Sequence, residues 1–264
     1  MPHVSELTIY PLKSAQGINL HTLDYMGRGP KLDRQWMVVN SKKRFLSQRQ
    51  FPLMCLIKTQ LIDNELILSA PEQEPLIISF NNESLEEKTV DVWKDQVNAL
   101  DCGAEAANWI SRYLKHDCQL VVMPNETERF VDTDYANNKE TVSFADGFPS
   151  LIISQASLDD FNSKLEQSIS MAHFRPNIVI DGCPPYAEDK WQKIKINGII
   201  FSLVKPCSRC IIPAIEPNSG NKRMDIIKAL STHRRRGNAS YFGQNALHDS
   251  EGQICVGDNV ELIS

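Results

Sequence analysis

In Lys193-Ile194-Lys195-Ile196-Asn197-Gly198-Ile199-Ile200-Phe201-Ser202-Leu203-Val204-Lys205-Pro206-Cys207-Ser208-Arg209-Cys210-Ile211-Ile212-Pro213, two β-prone runs meet at an Asn-Gly dipeptide. That pair takes the positive φ values of a tight hairpin turn without strain. The second strand is expected to end at Pro206 and to pass directly into a Cys-x-x-Cys loop. A thiol at the lip of a hairpin is rigidly held and reachable. Lys205 and Arg209 flank the two cysteines, and neighbouring cations favour the thiolate, the form that attacks electrophiles or binds metals.

Outward from this loop, the second half of the chain mixes short strands with helices. Gln119–Met123, Leu151–Ile153, Ile178–Ile180 and Val256–Leu262 read as strands, the last interrupted by a turn. Ser157-Leu158-Asp159-Asp160 reads as a helix start, with Leu158, Phe161 and Leu165 facing inward. Asn125–Glu140 reads as a polar, acidic loop. The first hundred residues are β-rich: Val4–Tyr10, Trp36–Asn40, two runs around Asp63-Asn64, and Val90–Trp93, which closes the series. Strands this short, with turn signals between them, suggest a small barrel or sandwich. The period then changes: Ala106, Trp109, Ile110, Tyr113 and Leu114 fall on one face of a helix over 102–114. A domain boundary is placed just before it, giving domains of residues 1–100 and 101–264.

The chain has 264 residues, 42% hydrophobic and 23% charged, with a net charge of −5. Its length suffices for one large domain or two modest ones. The acidic balance argues against a protein that coats nucleic acid or an anionic membrane. No apolar run approaches the roughly 18 residues of a membrane span, and no signal-peptide core is evident, so a cytoplasmic protein is expected. Seven scattered cysteines do not make a disulfide framework. Cys55, Cys118 and Cys255 read as small buried apolar residues, and Cys183 as a turn residue.

The Cys207/Cys210 pair admits several readings. Structural zinc wants a second ligand pair, and none is spaced for it. A thioredoxin-like dithiol wants a helix, which Pro213 interrupts. Two inert thiols, or a single thiolate binding the soft metal of a cofactor, both remain open. His233-Arg234-Arg235-Arg236 reads as a solvated loop or as a docking patch for an acidic electron donor.

The wording around the loop, Val204–Ile211 followed by Glu216-Pro217-Asn218-Ser219-Gly220, closely resembles the signature of MOSC-domain proteins. It is most similar to the branch of the mitochondrial amidoxime-reducing component and its bacterial YcbX-like relatives. Further matching motifs follow in order: Tyr10–Ser14, Asp33–Trp36, Ser47–Pro52, Phe144–Pro149, Ser154–Ser157, Phe174–Asn177, Tyr186–Trp191 and Phe242–Asn245.

The resemblance implies a β-rich α+β protein, an N-terminal β-barrel-like domain followed by a MOSC domain (a β-barrel with flanking helices). It implies a molybdenum cofactor, with Cys210 as the protein's sulfur ligand to the metal and catalytic residue, and Cys207 as a neighbour that shapes the loop. Lys13, Ser14, Arg34, Arg175, Asn177 and Ser208 fall on cofactor-binding positions; at Gly147 and Phe148 only backbone contacts carry over. The implied activity is reduction of small N-hydroxylated or N-oxygenated compounds. Some bacterial relatives continue into a ferredoxin-like domain, but no four-cysteine set for a cluster is present here. Electrons are therefore expected from an external ferredoxin- or flavoprotein-like donor, with no nucleic-acid or membrane partner. Two other readings are a sulfur or cofactor carrier using a cysteine persulfide, and a pyridoxal phosphate protein using Lys13 or another lysine. Pro213-Ala214 stand where relatives carry two hydroxyl residues, which leaves any substrate contact there open.

Overall fold

The computed structural model describes residues 1–80, 86–137 and 139–263. Among the described residues, the largest sheet has nine strands. Its main path runs Val260–Ile263, Lys193–Ile196, Ile199–Ser208, Ala239–His248, Ser150–Ser154, Ile178–Asp181, His3–Ile9 and Ile18–Leu20. The first strand of the chain therefore lies beside Ile178–Asp181, with Leu7 opposite Ile178, and carries Tyr10–Ser14 to the edge of the second half. A four-stranded sheet is built from Trp36–Asn40, Cys118–Val122, Asp95–Asp101 and Glu87–Val92, and two three-stranded sheets complete the β structure. The protein is β-rich α+β, with His3–Ile9 and Ile18–Leu20 of the first half joining the large sheet and Cys118–Val122 of the second joining the four-stranded one.

Local chemistry accounts for the principal turns. Asn197 (φ 43°) and Gly198 (φ 89°) both adopt positive φ, and so do Asp63 (46°) and Asn64 (64°), so each hairpin closes over two residues that accept that geometry. The strand after Gly198 does not stop at Pro206 but runs to Ser208. Register shifts lie on either side of the proline, between Leu203 and Lys205 and between Pro206 and Ser208. Bulges of this kind are where a sheet tolerates the missing N–H.

The helix expected over 102–114 is α1 (Ala104–Leu114), which buries Ala106, Trp109, Ile110 and Leu114. Helix α2 (Gln155–Asn162) begins earlier than Ser157, because the Ser154 hydroxyl accepts the Ser157 backbone N–H at 3.2 Å and caps it. Several elements went unexpected, among them the short strands Ile18–Leu20, Thr22–Met26 and Leu76–Ser79, and three matter most for the site. Helix α3 (Met224–His233) buries Ile226, Ala229 and Leu230. Strand Asp95–Asp101 continues the series beyond Val90–Trp93, and strand Ala239–His248 pairs with the cysteine strand. Phe161, Phe174 and Phe242 form an aromatic cluster against which Cys207 packs, with Phe174 and Phe242 stacked at 4.1 Å. Among the described residues, no helix is long and apolar enough to cross a membrane.

Candidate active site

Between the two halves, backbone turns in unusual conformations set a group of cations face to face. Ser14 (φ 73°), Arg34 (48°) and Arg175 (56°) all lie in the left-handed region, which non-glycine residues occupy at a cost. Buried Tyr10 is the pivot: the Arg34 and Arg175 guanidinium carbons lie 4.3 and 4.1 Å from its ring centroid. Its hydroxyl donates to Pro176 O at 3.1 Å, and burial pushes its pKa up to about 12. Arg34 donates to Asp33, to Asn177 Oδ1 (3.1 Å) and to the Arg175 carbonyl (3.2 Å). Arg175 donates to Ala15 O at 2.6 Å, and burial lowers its pKa to about 10, well above neutrality. Buried Asn177 locks the group, because its Oδ1 also accepts the Leu151 N–H at 3.3 Å and its amide donates to Thr8 O at 3.1 Å. Ser14 contributes its carbonyl, which accepts Gln48 Nε2 at 2.7 Å.

Lys13 reaches this region from the turn after the first strand. Its ammonium donates to Phe144 O at 2.7 Å and to Asp146 Oδ1 at 2.6 Å. Burial lowers its pKa, and Asp146 pulls it back up. The Asp146 side chain is 58% exposed. Desolvation would raise its carboxyl pKa, but Lys13 and Arg49 outweigh that and hold it well below the usual carboxylate range.

Cys210 is exposed, and Arg49 links it to the Lys13–Asp146 pair. Its sulfur accepts the Ile212 backbone N–H at 3.5 Å and Arg49 Nη2 at 3.6 Å. The same Arg49 nitrogen lies 3.5 Å from Asp146, and its guanidinium stacks over Trp93 at 4.8 Å. Trp93 Nε1 in turn donates to Asp146 at 3.3 Å. Arg49, Asp146 and Trp93 thus join Cys210 to Lys13, and none of the three stood among the residues expected at the site. Arg49 and Asp146 each lie inside a recognised motif, where a charged residue was the available signal.

The cations expected at the sulfur are elsewhere. Lys205 lies over Tyr135 (4.1 Å) and Phe148 (5.7 Å). Arg209 turns inward, donating to Phe242 O at 2.9 and 2.6 Å and to Phe174 O at 3.1 Å. Proximity in sequence does not bring their charges to the thiol, since open carbonyls and aromatic faces claim both. Burial raises the pKa of Cys207, which favours its neutral form. Ser208 is exposed opposite Tyr241 at the strand end, while Gly147 borders open space beside Asp146. Among the described residues, no hydrogen bond ties Ser208, Gly147 or Phe148 to the arginine group. The His233–Arg236 run is partly consumed by structure: Arg234 (2.6 Å) and Arg236 both bond Asp189, and Arg234 also stacks on Tyr186 at 3.9 Å.

The Asp146 interaction carries a pH signature. A carboxyl with a depressed folded pKa stabilises the fold above its unfolded value and loses that contribution as the pH falls through the folded one. Asp146→Asn should therefore be less stable than the parent at neutral pH, by under about 1 kcal/mol given the exposed carboxylate, with the difference beginning to shrink below about pH 4 and closing only as the pH falls toward the depressed folded value. Urea midpoints at pH 7 and about pH 2 measure it; a gap that is unchanged or wider in acid contradicts the assignment.

Residues 1–117 match the MOSC N-terminal beta barrel domain, and residues 139–261 match the MOSC domain. The chain is 32% identical to "Mitochondrial amidoxime-reducing component 1" of Mus musculus, over 98% of this chain and 82% of that protein. The same identity and coverage hold for the Homo sapiens protein of that name. "Mitochondrial amidoxime reducing component 2" of Rattus norvegicus is also 32% identical, over 97% of this chain and 82% of that one. The barrel-like N-terminal strands, the sheet carrying Cys210 and these near full-length identities agree: the chain belongs to the MOSC-domain family, in the branch of the mitochondrial amidoxime-reducing components.

Proposed function

We propose that the protein is a molybdenum-cofactor-dependent reductase of N-hydroxylated or N-oxygenated compounds, supplied with electrons by a separate donor protein. One observation carries this reading. Among the described residues, Lys13, Arg34, Arg49 and Arg175 share only Asp33 and Asp146 as contacting carboxylates, a surplus of positive charge in a chain of net −5, with the exposed Cys210 thiol beside Arg49. Desolvated guanidinium groups brought together without an equal number of anions fit a phosphorylated ligand. A soft, exposed sulfur fits a transition metal.

In this assignment Cys210 holds the metal, and Arg34 and Arg175 hold the anionic end of the cofactor, with Asn177 fixing Arg34. Lys13, Ser14 and Ser208, with the backbone at Gly147 and Phe148, complete the contacts. Bound there, the cofactor supplies two-electron removal of oxygen from nitrogen. Asp146 is held ionised at neutral pH, so this carboxyl is not a source of the two protons that, with two electrons from the donor protein, would convert N–OH to N–H and water. Arg49 and the Ile212 N–H both donate to the Cys210 sulfur and would hold its orientation. A Schiff base on Lys13 is disfavoured, because its buried amine is committed to Asp146 and Phe144 O.

The test is elemental analysis of protein purified from a host that makes the pterin, followed by amidoxime reduction with an artificial donor. About one molybdenum per chain and measurable turnover are expected. Sulfane sulfur on Cys210 without molybdenum would instead identify a carrier, and a fully loaded sample inactive on hydroxylaminopurine and amidoximes would end the reductase reading.

A further inference from the structure

Trp93 is where the local rules of the chain are broken. Val92 pairs with Asp95, so Trp93 and Lys94 form a two-residue loop between strands Glu87–Val92 and Asp95–Asp101. Such loops favour Gly, Asn or Asp where φ is positive. Trp93 nevertheless sits at φ 59°, a conformation that a bulky side chain adopts only at a cost. Burial does not offset that cost, since the residue is 47% exposed. Its contacts are with the site: Nε1 to Asp146 at 3.3 Å, the Arg49 guanidinium over its ring at 4.8 Å, and the Phe45 ring at 5.0 Å. Phe45 in turn lies 5.2 Å from the Lys13 ammonium. Departures from local preference of this kind concentrate at functional sites.

We infer that Trp93, with Arg49 stacked upon it, is the substrate-orienting surface beside Cys210 and selects flat aromatic N-hydroxylated compounds over small aliphatic ones. The inference rests on the reductase reading and names its substrate class. The hydrogen bond and the stack hold the indole in place before any ligand arrives, so little freedom is lost on binding. Indole and guanidinium both present planar surfaces on which an aromatic ring stacks. The surrounding positive charge disfavours cationic ligands and leaves neutral ones such as amidoximes.

Trp93→Gly provides a test that preserves the hairpin, because glycine suits the observed φ. With molybdenum-loaded protein, kcat and KM are measured for benzamidoxime and acetamidoxime, and their affinities are measured by equilibrium dialysis without a donor. In Trp93→Gly, KM and Kd for benzamidoxime should rise about tenfold, while those for acetamidoxime stay within about twofold. Trp93→Phe should retain most of the preference. Equal shifts for both ligands, or none, overturn the inference. If loaded wild-type protein reduces neither compound, the reductase reading fails. Dialysis then still decides the role of this surface: benzamidoxime bound no more tightly by wild type than by Trp93→Gly overturns it.

Discussion

Cys210→Ala should lower amidoxime turnover by more than about a hundredfold while leaving the melting temperature within about 1 °C of wild type. The asymmetry follows from the placement of the sulfur. Cys210 is exposed, and its contacts are long ones, to Ile212 N at 3.5 Å and Arg49 at 3.6 Å, so the fold loses little without it. Under the proposed function, however, it supplies the protein's bond to the metal. Cys207→Ala is the matched control, expected to show the opposite pattern. Its side chain packs against the Phe174–Phe242 cluster, so the change should cost about 1 kcal/mol of stability while the loaded enzyme keeps most of its turnover. Turnover per bound molybdenum and thermal midpoints, measured on both variants, separate the two roles. A Cys210→Ala protein with wild-type turnover, or a Cys207→Ala protein that loses as much, would remove the sulfur assignment.

How far the sequence reaches depends on whether the determining chemistry is local. Asn197-Gly198 and Asp63-Asn64 announce their hairpins because the turn needs what those residues tolerate. Helix α1 shows its period through large side chains at Trp109, Ile110 and Leu114. Strand Asp95–Asp101 is less visible: its inward residues are Val97, Ala99 and Asp101, which give weak apolar contrast. Strand Ala239–His248 carries Gly243 and Gln244 at buried positions, a pattern set by neighbours rather than by propensity. The arginine group could be named from its motifs. The approach of Arg49 to Cys210 could not, because it joins positions 161 residues apart through a tertiary contact. For the same reason Lys205 and Arg209 seemed suited to the thiol until aromatic faces and carbonyls were seen to hold them.

The largest stability effect is expected at a residue with no side chain, Gly243. The strand that carries it lies between the cysteine strand and Ser150–Ser154, and Gly243 has φ 77° there. A Cβ added at this position would lie 2.5 Å from Ile153 Cγ1 and 2.9 Å from the Ile152 carbonyl oxygen, and a backbone atom cannot give way as a flexible side chain does. The left-handed conformation and the overpacking add, so Gly243→Ala should cost about 3 kcal/mol. For a chain of this size that lowers the melting temperature by about 6–12 °C. The loss should extend to the site, because the preceding Phe242 carbonyl receives Arg209 and the following Gln244 side chain bonds Asp189 at 2.9 Å. A strand pushed away from Ile152 moves both, and the loop bearing Cys210 with them. Gly147→Ala is the contrasting case: a Cβ there meets nothing within 4 Å, so its stability should change by less than about 0.5 kcal/mol. Thermal and urea midpoints of the two variants test the argument together. A Gly243→Ala midpoint within about 2 °C of wild type would mean that the sheet accommodates the extra methyl, and that the close approach to Ile152 does not set the geometry beneath the cysteine loop.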